Sequence, residues 1–155
     1  MTRYQSVSLF LLRISLGWLF FYAGLVKIMD PKWSAAGYLK AAKTFSGFYT
    51  WLASPSMLPT VNFLNEWGLA IVGAALILGL GVRLAGVLGA AMMLLYYFPI
   101  LKGASPDPNS FVVDQHIVFA TGLLLLSSFG PGKFWQLEGW FKKTFPKGAK
   151  MIGIK

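Results

Sequence analysis

The apolar stretch Leu84–Leu101 reads LAGVLGAAMMLLYYFPIL and contains no formally charged residue in its 18 positions. A helix needs about 20 mostly apolar residues to cross a hydrocarbon core of about 30 Å. Three further apolar stretches approach that length, and they cover Val7–Ile28, Val61–Leu80 and Phe111–Phe129. Because none of the four shows the period-2 alternation of a strand, we predict an all-α integral membrane four-helix bundle within residues 1–132.

The composition also indicates a membrane protein. Of the 155 residues, 56% are hydrophobic and only 12% are charged, whereas a typical soluble domain has about 25% charged residues. These proportions exclude a soluble globular domain, a disordered chain and a collagen-like repeat. The formal net charge is +9, which in this apolar background favours basic cytoplasmic ends over nucleic-acid binding.

The counts of cysteine and histidine exclude several kinds of redox chemistry. The chain has no cysteine and a single histidine, His116. Disulfide relays, thiolate zinc sites and iron–sulfur clusters require cysteine, and a bis-histidine haem site requires two histidines. We therefore expect no haem, iron–sulfur cluster, zinc or other metal site on this chain, so any redox group must come from a substrate or a partner.

Two segments outside the predicted spans have amphipathic patterns. The first loop, residues 30–60, contains GYLKAAKTFSGFYTWLA (Gly37–Ala53), in which lysines alternate with aromatic residues, as in a helix that lies in the membrane interface. The C-terminal segment 133–155 combines tryptophans and phenylalanines with lysines and predicts a basic amphipathic tail on anionic lipid, with a frayed basic tail as the alternative. Before the fourth helix, Asp107 or Ser110 is a candidate N-cap.

The distribution of basic residues predicts the orientation. Four crossings place both termini on one side, and nine of the 14 lysines and arginines fall on that side. The positive-inside rule then predicts a multi-pass protein of the plasma membrane with both termini in the cytoplasm. The first apolar stretch exceeds the usual ~7–15-residue core of a signal peptide and contains Arg13, so we favour a retained helix over a cleaved signal.

The few ionisable residues inside the apolar stretches are candidate functional residues. Such residues are costly in a membrane, and they commonly face the bundle interior or mark a path for protons or substrate. The predicted topology places four polar side chains at the depth of Lys27, near the outer ends of their helices; these are Asn62, Glu66, Asp114 and His116. Arg13 lies about 21 Å along the first helix from Lys27, where a structural or lipid-phosphate contact is favoured.

This set of side chains suits proton transfer next to an anion. Imidazole is a side chain that exchanges protons near neutral pH, so His116 can donate or accept a proton, and Glu66 or Asp114 could orient the ring or relay protons. Lys27 could hold an oxyanion or the anionic oxygen of a reduced quinone, although Asp114 could instead simply neutralise it. Since Asp114 and His116 are two residues apart, they share no helical face, and only an unwound first turn or a partner helix would bring them together.

The order and spacing of these motifs resemble the DoxX/DoxD family of four-helix membrane proteins. The first helix carries RISLGWLFFYAGLVK (Arg13–Lys27), and the second and third carry LNEWGLAIVGAALILGLGVRLAG (Leu64–Gly86). The fourth carries NSFVVDQHIVFATGLLLL (Asn109–Leu126), similar to the Asp-x-His start of DoxD-type members. The positions that match the family pattern are Arg13, Lys27, Glu66, Arg83, Asp114 and His116.

The resemblance implies a membrane subunit of a thiosulfate:quinone oxidoreductase. Such a subunit lies in the lipid bilayer and couples oxidation of thiosulfate to tetrathionate with reduction of quinone. It works with a second, smaller subunit, which is not on this chain. With quinone as the substrate, the candidate catalytic residues are His116, Glu66 and Asp114, and the candidate quinone- or anion-binding residues are Lys27, Asn62 and Arg13.

Two other functions remain open from the sequence. The protein could be a non-catalytic scaffold or accessory subunit of a redox or stress-response complex, whose polar cluster only locks the helices together. A small proton-coupled carrier is disfavoured, because four short helices without an inverted repeat make a poor alternating-access machine unless they form a homo-oligomer.

Overall fold

The computed structural model describes residues 2–130 and 136–144, and every regular element in this part of the chain is a helix. The seven helices follow one another along the chain as α1 (Arg3–Met29), α2 (Ala36–Lys40), α3 (Ser46–Leu52), α4 (Leu58–Leu78), α5 (Val82–Ile100), α6 (Gln115–Phe129) and α7 (Glu138–Thr144).

Four of these helices form an up-and-down bundle. Helix α1 packs mainly on α4, and α5 packs mainly on α6, while the two pairs meet through sparser contacts between α4 and α5 and between α1 and α6. Helices α1, α4 and α5 are long and apolar enough to cross a membrane, and α6 is an apolar helix of 15 residues. The prediction of an all-α membrane protein is confirmed. We call the end where α1 and α5 finish and α4 and α6 start the Lys27 end.

Glycines allow the helices of each pair to approach closely. A Cβ atom on Gly24 would lie 2.4 Å from the backbone nitrogen of Ala70, and one on Gly73 would lie 2.2 Å from that of Phe21. In the other pair, a Cβ atom on Gly86 would lie 2.6 Å from the carbonyl oxygen of Leu123. Small residues at helix interfaces are the usual means of tight packing in membranes, and here they fix which face of α4 turns toward the bundle.

The first loop folds into a cap over the Lys27 end. The single interfacial helix expected between Gly37 and Ala53 is divided in two, because Phe45 adopts a left-handed conformation (φ 52°) just before α3. The cap, residues 30–57, has a small core of its own that includes the buried residues Leu39 and Tyr49.

Hydrogen bonds join the cap to the last turns of α5. Pro99 lies inside α5 and has no N–H to donate to the carbonyl of Leu95. The hydroxyl of Tyr49 donates to that carbonyl at 3.0 Å, and the hydroxyl of Tyr38 donates to the carbonyl of Tyr96. A proline in α5 therefore leaves a backbone acceptor that a cap tyrosine satisfies.

Helix α6 starts four residues later than the sequence predicts. Residues 111–114 are not helical, and Asp114 is the N-cap, accepting hydrogen bonds from the backbone nitrogens of His116 and Ile117. The expected capping by Asp107 or Ser110 is wrong, because Asp107 instead accepts from the backbone nitrogen of Asn109 within a loop turn.

The short segment before Asp114 is strained. Val112 has a φ of 61°, which is rare for a β-branched residue and costs of the order of 1–3 kcal/mol. Its carbonyl accepts from the hydroxyl of Tyr97 at 2.5 Å, and its N–H donates to the carbonyl of Ala104 at 2.8 Å. These two bonds hold the turn that presents Asp114 to the first turn of α6.

At the opposite end of the bundle, the described part of the C-terminal segment contains α7. The backbone nitrogen of Leu137 donates to the carbonyl of Leu78 at 3.0 Å, which attaches this segment to the end of α4. Burial raises the pKa of the Glu138 carboxyl, and the nearby positive charges of Arg83 and Lys142 partly oppose that rise. The predicted amphipathic tail extends over residues 133–135 and 145–155, which lie outside the described residues.

Candidate functional site

A cavity of about 480 Å³ opens at the Lys27 end, between the bundle and the cap. We call it the polar chamber. Helices α1, α4, α5 and α6 each contribute to its wall, together with the first part of the cap. Its lining consists of Lys27, Trp33, Ser34, Ala35, Tyr38, Asn65, Tyr96, Ile100, Gln115 and His116.

His116 and Asp114 form a hydrogen-bonded pair at the start of α6. The ring nitrogen Nδ1 of His116 lies 2.6 Å from Oδ2 of Asp114, and the two side chains are 17% and 7% exposed. Since an ionised carboxylate can only accept hydrogen bonds, it fixes the proton of the neutral ring on Nδ1. The other ring nitrogen, Nε2, has no hydrogen-bond partner among the described residues.

The pair forms because Asp114 lies outside the helix. A residue at an N-cap has an extended backbone, so its side chain can turn back over the first turn. Asp114 Oδ1 accepts from the backbone nitrogen of His116 at 2.9 Å, while Oδ2 contacts the ring of the same residue. The pair was expected to need a non-helical residue at the start of the fourth helix or a partner helix, and the structure shows the first of these at Asp114.

Lys27 is a cation without a partner carboxylate. Among residues 2–130 and 136–144, no carboxylate oxygen lies within 4.0 Å of the Lys27 amine. The amine instead approaches the carbonyl of Ala23 at 3.4 Å and the ring of Trp33, whose centroid is 5.3 Å away. Its charge is thus available to an anion in the polar chamber, and Asp114 does not neutralise it.

Two tyrosines and an asparagine form the inner wall of the chamber. The hydroxyl of Tyr96 donates to Oδ1 of Asn65 at 2.5 Å, and the ring of Tyr96 packs edge-on against that of His116, with centroids 6.3 Å apart. Partial burial raises the pKa of Tyr38 to about 12, and the charge that Tyr49 acquires in alkali and the negative charge of Asp114 add to the rise. Tyr38 is therefore a neutral donor at physiological pH.

The remaining predicted residues do not line the chamber. Asn62 accepts from the backbone nitrogen of Ala35 at 3.0 Å and donates to the hydroxyl of Ser34 at 3.4 Å, so it holds the cap in place. Glu66 is half-buried, and its side chain forms no hydrogen bond or ion pair with any described residue. Arg13 is 1% exposed inside the bundle, with its guanidinium 5.5 Å from the ring centroid of Phe10.

Several residues of the chamber were missed by the sequence reasoning. Trp33, Tyr38, Asn65 and Tyr96 carry no formal charge, so the criterion of an intramembrane charge does not identify them. The topology alone would have placed Asn65 and Tyr96 at the depth of Lys27, since α4 begins and α5 finishes at this end. Their hydroxyl and amide groups within apolar stretches are therefore the sequence signal for Asn65 and Tyr96.

A second cavity, of about 370 Å³, adjoins the polar chamber. We call it the apolar chamber, because aliphatic and aromatic side chains of α4, α5 and the cap form nearly all of its wall. The two chambers share four lining residues, which are Ala35, Tyr38, Asn65 and Tyr96.

Fold and site together define a helical membrane protein with a polar site at one end of the bundle. Among the residues that the structure describes, no three His, Cys, Asp or Glu side chains come together as metal ligands would.

A model of the DoxX family matches residues 8–100. This match covers more than half of the chain, and the protein belongs to the DoxX family. No curated protein and no solved structure shows a significant match.

Proposed function

We propose that this protein is the membrane subunit of a quinone-linked oxidoreductase, resembling the DoxD-type subunit of thiosulfate:quinone oxidoreductase. One observation carries the proposal. His116, oriented by Asp114, lines the same chamber as Lys27, a cation with no carboxylate within 4.0 Å among the described residues. A proton donor and a free positive charge in one chamber are what a quinone needs when it is reduced.

The chemistry divides between these side chains. Reduction of a quinone to a quinol takes up two electrons and two protons. Lys27 stabilises the negative charge that develops on one quinone oxygen. His116 acts as a general acid in its imidazolium form, in which Nε2 also carries a proton. Water reprotonates Nε2 after the first transfer, so that both protons of the quinol pass through this nitrogen. Asp114 stabilises the imidazolium and is a positioning residue. The catalytic role of Glu66 and the binding roles of Asn62 and Arg13 stay predictions.

The electrons come from thiosulfate in this proposal. Two thiosulfate dianions form one sulfur–sulfur bond, give tetrathionate and release the two electrons that the quinone takes up. The second, smaller subunit supplies the thiosulfate-binding part of the complex. We further propose that the Lys27 end faces the outside of the plasma membrane, which the excess of basic residues on the side of the termini supports.

A non-catalytic scaffold or accessory subunit is the second candidate, and one observation favours it. The same polar side chains also hold the fold together, since Asp114 caps α6 and Asn62 joins α4 to the cap. In that case the chamber would bind no quinone.

The test is thiosulfate-dependent quinone reduction in liposomes that contain the purified protein, with and without candidate soluble subunits. We expect His116→Ala to lower the rate by about 10²–10⁴-fold, the usual contribution of a general acid. The control is Thr121→Ala, because the Thr121 hydroxyl bonds only the carbonyl of Val118 on the same helix, at 2.9 Å. Glu66→Gln tests the role that the sequence assigns to that carboxylate. Wild-type activity in His116→Ala would contradict the proposed site.

A further inference from the structure

The apolar chamber lies at one of the two sparser helix contacts of the bundle. Helices α4 and α5 contact each other less than the helices within each pair do, and the cap covers the gap between them near the Lys27 end. Gly68 on α4 faces this gap, where an added Cβ would meet only Met92, at 3.4 Å. At Gly24 and Gly73, in contrast, the backbone of a neighbouring helix occupies the space where a side chain would lie. The missing side chain of Gly68 therefore leaves open space.

The chamber opens sideways toward the lipid. Leu64, Leu88 and Leu95 line it and are 57%, 49% and 47% exposed. All three lie on α4 and α5, within segments long and apolar enough to cross the membrane. The opening therefore faces hydrocarbon and not water, and a molecule dissolved in the bilayer can enter through it.

The chamber is also continuous with the polar chamber. Tyr38, Asn65 and Tyr96 belong to both walls. Their hydroxyl and amide groups provide polar surface in the polar chamber, toward Lys27. The wall of the apolar chamber is mostly hydrocarbon. A ligand that fills both chambers must have a polar headgroup joined to a flexible apolar chain.

We infer that the apolar chamber between α4 and α5 binds the polyisoprenoid tail of the quinone whose headgroup occupies the polar chamber. This inference rests on the proposed function and adds the subsite for the tail and its route of entry. The chamber's 370 Å³ is smaller than one turn of a packed helix, which occupies about 420 Å³ at a diameter of about 10 Å. A single flexible hydrocarbon chain fits inside the chamber, whereas a helix from a second copy does not.

The test compares two ligands, a benzoquinone with a decyl chain and the same benzoquinone without the chain. Their equilibrium binding to the purified full chain in detergent is measured for wild type and variants. Gly68→Leu fills the chamber, and we expect it to weaken binding of the decyl quinone by about tenfold, which corresponds to two displaced methylene groups. Binding of the chain-free quinone is unchanged. The partitioning of each quinone into detergent micelles is the same for every variant. It therefore cancels when the affinity of a variant is divided by that of wild type.

Three further variants make the result specific. In Gly68→Leu combined with Met92→Ala, the smaller side chain restores room, and the affinity for the decyl quinone returns toward the wild-type value. The control is Gly139→Leu on α7, where no atom lies within 4 Å of an added Cβ, and it leaves both affinities unchanged. Leu88→Trp narrows the exposed opening without entering the buried core, so it repeats the test if Gly68→Leu fails to fold.

The outcomes separate the two proposals. If wild type binds neither quinone, the proposed function fails. If wild type binds both quinones and neither Gly68→Leu nor Leu88→Trp changes their affinity ratio, the tail subsite is overturned while the headgroup site stands. An equal loss for both quinones also overturns it, because a variant that disturbs the polar chamber acts on the headgroup alone. If a lipid acyl chain fills the apolar chamber instead, the variants leave the affinity ratio unchanged, and the inference is overturned.

Discussion

Asp114 serves two structural partners with one carboxylate. Its Oδ1 accepts from the backbone nitrogens at the start of α6, and its Oδ2 contacts the ring of His116 at 2.6 Å. The first contact stabilises the helix, and the second holds the imidazole in one orientation. A substitution that keeps the cap and removes the charge can therefore separate stability from proton transfer.

We expect Asp114→Asn and Asp114→Ala to differ in that way. Asparagine caps helices about as well as aspartate, whereas loss of the cap costs about 1 kcal/mol. Thermal unfolding in detergent should therefore be nearly unchanged in Asp114→Asn and lowered in Asp114→Ala, while quinone reduction falls in both. The control is Asp107→Asn, which changes a carboxylate in a loop turn. Full activity in Asp114→Asn would show that His116 needs no charged partner.

Tyr38 gives the protein a specific sensitivity to alkali. Its pKa is raised to about 12 in the folded protein, against about 10 for a free tyrosine. The unfolded chain therefore releases this proton first, and stability falls as the pH rises from about 10 through 12.

The measurement is the ultraviolet absorbance of tyrosinate as a function of pH, together with unfolding at each pH. The gain in tyrosinate absorbance near pH 12 should be smaller by one tyrosine in Tyr38→Phe than in wild type, and the variant should lose less stability over that interval. A Tyr38 that titrates near pH 10 would contradict the partial burial of its side chain, which is 38% exposed, against α5.

At the scale of an element, the end of α5 depends on a residue of the cap. Pro99 removes the N–H that would bond the carbonyl of Leu95, and the hydroxyl of Tyr49 replaces it. An unsatisfied backbone group is expensive away from water. The cap is therefore required by the helix that it covers.

A double-mutant cycle tests this dependence. Tyr49→Phe should cost about 1–3 kcal/mol, because it leaves the Leu95 carbonyl without a donor. In a Pro99→Ala background the restored N–H can bond that carbonyl, so the same substitution should cost measurably less. The measurement is reversible unfolding of the four proteins in detergent. Equal costs in both backgrounds would show that the tyrosine acts through packing alone.

The sequence predicted how deep in the membrane each functional residue lies better than it predicted the helix face on which the residue lies. Topology brings Lys27 and His116 to the same end of the bundle, and both line the polar chamber. Which face of α4 turns inward depends on the close contact at Gly24 and Gly73, which periodicity does not reveal. As a result Asn65 lines the chamber, and Glu66, about 100° further around the helix, does not.

In the cap, too, the residue pattern predicted the general location, whereas tertiary contacts determine the detailed structure. Alternating lysines and aromatic residues predicted one helix on the membrane surface, and the exposed rings of Phe48 and Trp51 fit such a location. The division into α2 and α3 depends on Phe45, whose left-handed conformation no composition rule predicts. The bonds from Tyr38 and Tyr49 depend on contacts between residues about 50 positions apart.

For the whole molecule, the proposed orientation can be tested because the chain has no cysteine. A single cysteine can be introduced at Gly37 in the cap or at Gly139 in α7, since no atom lies within 4 Å of a Cβ at either position. In intact cells, a membrane-impermeant maleimide should label Gly37→Cys and spare Gly139→Cys until the membrane is permeabilised. The reverse labelling would place the polar chamber in the cytoplasm.

Binding of the chain-free benzoquinone to wild type, Lys27→Met and Lys40→Met decides whether the polar chamber is a headgroup site. Lys40 is an exposed lysine of the cap at the same end of the bundle and is not among the chamber's lining residues, so it controls for the loss of one positive charge. We predict that wild type and Lys40→Met bind equally and that Lys27→Met binds at least tenfold more weakly. Equal binding by all three proteins, or binding by none, would contradict the proposal.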